Sequence, residues 1–131
     1  MANISAYMEK AMLDWVLQGA TPSRPAALFG GLAVGTPTSV SGSEMGTLTG
    51  YSRVTALFGA AASPAGSASN TAGMTFGPFS STGSAIGLHL WDGSPVGSSD
   101  LLWYGTLETA RTFLVGDLLF LSAGALTITL S

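Results

Sequence analysis

One segment of the chain has a helical period, and the rest alternates. Across "NISAYMEKAMLDWVLQG", residues 3–19, Ile4, Met8, Ala11, Met12, Trp15 and Val16 share one face at 100° per residue, with Tyr7 at its edge. Lys10 and Asp14 stand one turn apart on the polar side. Gly19 suits the left-handed residue that stops a helix, and Pro22 blocks continuation. The pattern predicts a helix over about residues 3–18. Leu13 and Leu17 fall off its main face, also one turn apart. Either a flanking loop covers them or they form a contact surface for a partner subunit.

After Gly19 the period is that of strands. "AALFGGLAV" is a first strand, where Gly30 and Gly31 signal a bulge or a close backbone approach. In "YSRVTALF", Val54, Ala56 and Phe58 point one way and Tyr51, Arg53 and Thr55 the other. "TAGMTFGPF" is a short strand ended by Gly77-Pro78. "AIGLHLWD" sets Ile86, Leu88 and Leu90 against Gly87, His89 and Trp91. "LLWYGTL" is another, and residues 110–131 supply two or three more, with Leu126, Ile128 and Leu130 alternating against Thr127 and Thr129. Residues 60–70, "AAASPAGSASN", read as a small-residue loop. About seven or eight short strands with no helix between them predict a mainly β protein, an antiparallel β-sandwich of jelly-roll type with one N-terminal helix. The length of 131 residues suits one domain, with the helix at about 3–18 and the sandwich at about 25–131.

Composition changes this picture in one respect. Charged residues make up 8% of the chain, against roughly 25% in ordinary soluble domains. Gly, Ser, Thr and Ala stand in their place, so the surface is neutral and weakly hydrated. Such a surface favours coverage by neighbours in an assembly over a free monomer. The four cations, Lys10, Arg24, Arg53 and Arg111, are scattered, so no basic patch exists to displace counterions from nucleic acid. There is no cysteine, and hence no disulfide, thiolate nucleophile or Cys-ligated zinc. Glu9, Lys10 and Asp14 interrupt any secretory h-region, and no segment is a run of ~20 apolar residues, so neither a signal peptide nor a membrane span is expected.

Candidate chemistry is sparse. The stretch "SGSEMGTLTGYSRVTALFG", residues 41–59, resembles a phosphate loop in its glycines and arginine. It lacks the Gly-Lys-Ser/Thr of a P-loop and the helix of a dinucleotide fingerprint. Gly42, Gly46 and Gly50 are therefore expected to be turn residues with positive φ. Arg53 should lie opposite the core and meet solvent, Glu44 or a neighbour's carboxylate. His89 is the only histidine, no G-x-S-x-G elbow occurs, and a half-exposed strand histidine with one hydrogen bond is expected rather than a triad. Asp92 and Asp100 bracket one loop; they suit loop-end hydrogen bonding better than calcium binding or glycoside hydrolysis. No cofactor, metal or catalytic residue is expected. Tyr51, Trp91 and one of Trp103 and Tyr104 could share an outer face as a sugar platform, or pack across strands.

As a whole the chain resembles a family of short virion proteins of tailed phages, often labelled phage tail fibre proteins. The likeness runs through "AYMEKAMLDWVLQG", "RPAALFGGLAVGTP", "SEMGTLTGYSRV", "IGLHLWD…LLWYGTL" and "VGDLLFLSAGALTITLS", in that order and over nearly the full length. The resemblance implies a virion structural protein without catalysis, made in the bacterial host cytoplasm. No shaft-forming coiled coil or repeat is present, so a capsid decoration (cement) protein is the first expectation. A tail fibre or tail-tip knob is the alternative, and a carbohydrate-binding adhesin module the third. Partners would be the major capsid protein or tail components and further copies of itself, with no nucleic acid and no membrane. Interface residues would be Leu13, Leu17, Glu44, Tyr51, Arg53 and Trp91, with the loops at 36–49 and 60–70.

Overall fold

A computed structural model describes residues 2–23, 25–46, 50–63, 66–94, 96 and 99–129. Arg24, Leu130 and parts of the two loops expected at interfaces (residues 47–49 and 64–65) lie outside the described residues. The elements in chain order are β1 (Ala2–Ile4), α1 (Ala6–Gln18), β2 (Leu28–Ala33), β3 (Val54–Ala56), β4 (Ser67–Ser69), β5 (Met74–Phe76), β6 (Gly83–Trp91), β7 (Leu101–Phe113), β8 (Leu119–Leu121) and β9 (Thr127–Thr129). All the pairings are antiparallel. One layer is a five-stranded sheet in the order β1-β7-β6-β2-β3. Facing it are two ribbons, β4-β9 and β5-β8. The expected mainly β, antiparallel architecture with one helix is what forms.

The core lies between the layers. Leu32, Leu88 and Leu90 project from the large sheet, and Met74, Phe76 and Ile128 meet them from the ribbons. Gly30 has no side chain because Met74 fills its place: a Cβ there would lie 2.9 Å from the Met74 sulfur. The close approach expected from the Gly30-Gly31 pair is therefore present. At one end Phe79 and Phe113 stack with ring centroids 3.8 Å apart. Asn70 ties the ribbons together. Its side-chain nitrogen donates to the carbonyls of Ala72 and Ser122, and its oxygen accepts from the Leu126 N–H. A cleft of about 750 Å³ opens between β7 and the β8–β9 segment, walled by Trp103, Leu107, Phe113, Leu119 and Leu126.

The helix differs from expectation at both ends. It begins at Ala6, because Ser5 is its N-cap: the Ser5 hydroxyl accepts the Met8 N–H at 3.2 Å. Ile4, expected on the helix face, lies in β1, which pairs with β7. Ser5 is fully buried; its hydroxyl donates to the Leu101 carbonyl at 2.5 Å, and its N–H to the Leu102 carbonyl at 3.0 Å. The stop is as expected, with Gly19 at φ 74°. The packed face is not. No residue of α1 is buried, and Trp15 and Val16 are as open to solvent as Leu13 and Leu17. Two further strands escape the sequence pattern. β4 lies inside the loop expected at 60–70, and β7 runs unbroken from Leu101 to Phe113 past the expected end of a strand at Leu107. Among the described residues no helix is long and apolar enough to cross a membrane.

Candidate functional site

The polar side chains gather at one place, on the face of the large sheet away from the ribbons. Residues 43–45 extend the sheet beside β2: the Val34 N–H donates to the Ser43 carbonyl, and the Met45 N–H to that of Leu32, both at 2.9 Å. Glu44 thus pairs with Ala33. Alternation puts Gly31 and Ala33 on one face of β2, and the register sets Gly31 opposite His89 of β6. Glu44, His89 and Trp91 therefore share a face; the segment leading into β3 brings Arg53 over it, while Tyr51, whose ring packs in the core, reaches Glu44 with its hydroxyl.

Arg53 is the hub. Its Nε donates to Glu44 Oε1 at 2.6 Å and its Nη2 to Glu44 Oε2 at 2.7 Å, a bidentate fork. Its Nη1 donates to the Gly93 carbonyl at 2.7 Å. The guanidinium lies 3.9 Å from the centroid of the Trp91 ring, within cation–π range. Tyr51 donates to Glu44 Oε1 at 2.8 Å and accepts the Leu32 N–H at 3.1 Å. Arg53 is 6% exposed and Tyr51 2%. Burial would raise the Glu44 carboxyl, but hydrogen bonds from Arg53 and Tyr51 and the charge of Arg53 outweigh it and hold the carboxyl below its ordinary range. Burial, helped by the adjacent Glu44 carboxylate, pushes the Tyr51 phenol far above its ordinary range, so Tyr51 is a neutral donor.

His89 sits beneath this network at 1% exposure. The Trp91 indole N–H donates to its Nδ1 at 2.6 Å. An indole only donates, so the neutral imidazole carries its proton on Nε2. That Nε2 is buried without a hydrogen-bond partner among the described residues. Burial is the main reason the ring titrates at about 4; Glu44 opposes that shift and Arg53 adds to it. Two glycines make room for the ring. A Cβ on Gly31 would lie 2.5 Å from Tyr51 Oη and 2.6 Å from His89 Nδ1. One on Gly42 would lie 2.9 Å from both His89 Cδ2 and Trp91 Cζ2. Gly31→Ala is expected to destabilise the fold by about 1–3 kcal/mol, the usual cost of overpacking, as read from urea midpoints.

Four of the six expected interface residues, Glu44, Tyr51, Arg53 and Trp91, therefore meet at one point, inside the chain. Of the three partners open to Arg53, the structure selects Glu44. Tyr51 is no outer aromatic: it belongs to the core and stacks 6.2 Å from Phe76. Arg53 lies over the Trp91 ring and Tyr51 is buried, so Tyr51 and Trp91 do not form an open platform. His89, expected half-exposed, is buried because the 41–46 segment and Arg53 cover the second face of β6. Gly50 has the expected positive φ, but Gly42 and Gly46 do not; Ser43 takes the left-handed conformation there, at φ 48°. Asp92 is a loop-end group, as expected, its carboxylate accepting the Asp100 N–H at 2.8 Å. Leu13 and Leu17 stay apart from this cluster, at 58% and 75% exposure.

The arrangement suits holding a loop rather than turning over a substrate. The carboxylate and guanidinium engage each other, and the histidine is shut away from solvent. The curated proteins include no match to this chain. A protein family described as "Podophage GP4 fiber I protein gp80" matches residues 3–129. That match spans both α1 and the whole order of strands that carries the buried Glu44–Arg53 cluster, and the chain belongs to this podophage fiber I protein family.

Proposed function

We propose that the chain is a compact, non-enzymatic piece of the podophage fibre, held in the virion by protein–protein contacts through α1. The observation that carries this is the helix. Its N-terminus is fixed to β7 through Ser5, yet Leu13, Trp15, Val16 and Leu17 stand in solvent. Family membership supports a structural virion component. The absence of any heptad or shaft repeat in the sequence supports a knob or adaptor rather than a shaft. The buried, mutually engaged charges support a structural role over catalysis. The same compact, nearly uncharged form favours decoration of the capsid shell as the second reading.

Cryo-electron microscopy of particles with and without this protein tests both. Density lost at the tail is the expected result, and uniform loss from the shell would replace it with decoration. Leu13→Lys/Leu17→Lys is expected to lower incorporation into particles, since losing a contact worth ~2 kcal/mol weakens binding about thirtyfold. Unchanged incorporation would remove α1 from the interface.

A further inference from the structure

We propose that β7 takes up a strand from another protein, added antiparallel to residues 107–112 in line with β1, with its inner side chains in the cleft beside β8 and β9. This contact goes beyond the one proposed for α1 and lies on a separate surface.

The edge strand is much shorter than its neighbour. β7 has thirteen residues and β1 three, and β1 covers only residues 103–105. On its other side β7 pairs with β6 at residues 101, 103–106 and 111–113, so residues 107–110 are matched by neither strand. An open row of backbone N–H and C=O groups is a template for a further strand. Edges are ordinarily blunted with proline or lysine, and residues 106–113 contain neither. Three of them are threonines, which favour strands, and residues 108–112 are all exposed.

β1 shows what closes this edge. It pairs with β7 and also lies against β9, sealing the gap between the layers. Past Gly105 that gap is the cleft of about 750 Å³. Trp103 stands opposite Leu90, and Arg111 opposite Ala85; both partners are core residues, so Trp103 and Arg111 share the inner face of β7. The Trp103 indole N–H is buried without an acceptor among the described residues. A wholly apolar occupant of the cleft would leave it bare, whereas a polypeptide brings an acceptor with every residue.

Charge gives the pattern of the added strand. Arg111 is on the inner face, and alternation sends Glu108 to the outer one. Both are exposed, and neither has an ion-pair partner among the described residues. Asp117, also at the cleft, is engaged by the Leu114 N–H. The matching strand carries an acid opposite Arg111, a base opposite Glu108, and apolar residues opposite Leu107 and Thr109. β7 of a second copy does not fit. Antiparallel strands joined about a two-fold keep like residues on one face, which sets Glu108 with Glu108.

The probe is an acetylated, amidated octapeptide of alternating valine and threonine, with Glu third and Lys sixth, added to the isotope-labelled full chain. The amide resonances of residues 107–112 and the Trp103 indole N–H should shift and saturate. Exchanging Glu and Lys in the peptide, or Arg111→Ala, should weaken binding about fivefold. Leu107→Lys should abolish it; circular dichroism checks that this variant folds, and Leu107→Gln replaces it if it does not. Leu13→Lys/Leu17→Lys should bind as wild type does, so failure here is told apart from failure of the α1 contact. Where the free peptide binds too weakly to detect, the same eight residues joined directly to Ala2 decide, because β1 then carries them along β7 in its own register. Amides 107–112 should gain protection from hydrogen exchange and the urea midpoint should rise, while a Gly/Ser extension of equal length does neither. Shifts confined to other surfaces, equal binding of the charge-exchanged peptide, or an extension that leaves residues 107–112 unprotected would overturn the proposal.

Discussion

Glu44→Ala is expected to destabilise the protein by about 3–5 kcal/mol, the range for removing one partner of a buried ion pair. The side chain of Arg53 is buried, and Glu44 accepts from both its Nε and its Nη2. Without the carboxylate, a cation would remain enclosed against Trp91 with both of those bonds lost. The Tyr51 hydroxyl would lose its acceptor as well. Glu44→Gln should fall between wild type and alanine, because an amide still accepts from Tyr51. Replacing both partners, as Glu44→Leu/Arg53→Met, should recover much of the loss, since no uncompensated charge is left inside. Urea midpoints across the four proteins measure this. A loss below about 1 kcal/mol for Glu44→Ala would show that Arg53 finds water instead.

Acid should weaken the fold through His89. The ring titrates at about 4 in the folded chain, against an ordinary value of 6.5. The folded value is depressed, so the stability is complete above the unfolded value and is lost as pH falls. From pH 6.5 downward the unfolded chain takes up a proton that the folded chain refuses. By about pH 4 the loss should reach roughly 3 kcal/mol, at 1.36 kcal/mol per pKa unit. Glu44 acts in the same direction at lower pH, because its folded value also lies below the ordinary one. Urea midpoints measured from pH 7 to pH 4 should fall for wild type. His89→Gln, which can still accept from Trp91, should flatten the part above pH 4.5. A wild-type profile that is flat over that range would mean the ring protonates in place.

The parts of the fold that sequence showed well are those where a period persists. β6, the start of β7 and the Gly19 stop all follow from repeated spacing or from one residue with a special backbone need. β1 and β4 are three residues each, too short for alternation to register. The Ser-Ala-Ser of β4 also carries no apolar signal. The cluster was visible as residues but not as a place. Glu44 and Arg53 are nine residues apart and were open to pairing, but His89 and Trp91 come from a distant strand, and the pairing of residues 43–45 with β2 brings the two sets together. His89 shows why alternation misled: it assumes one wet face, and here a covering segment dries both. Gly42 was expected to shape a turn, yet it is small because a histidine and a tryptophan need its space. Sequence marks such a glycine without saying which of the two reasons applies.

The N-terminal strand has a consequence for the order in which the chain can fold. β1 pairs with residues 103–105, and Ser5 with the carbonyls of residues 101 and 102. β6 and β7, by contrast, are joined by one short loop and can pair early. During synthesis, at about 5–20 residues per second, some hundred residues must follow Ser5 before its partners exist. α1 is made first and docked late, and its bare apolar turns spend that interval on an unfinished chain.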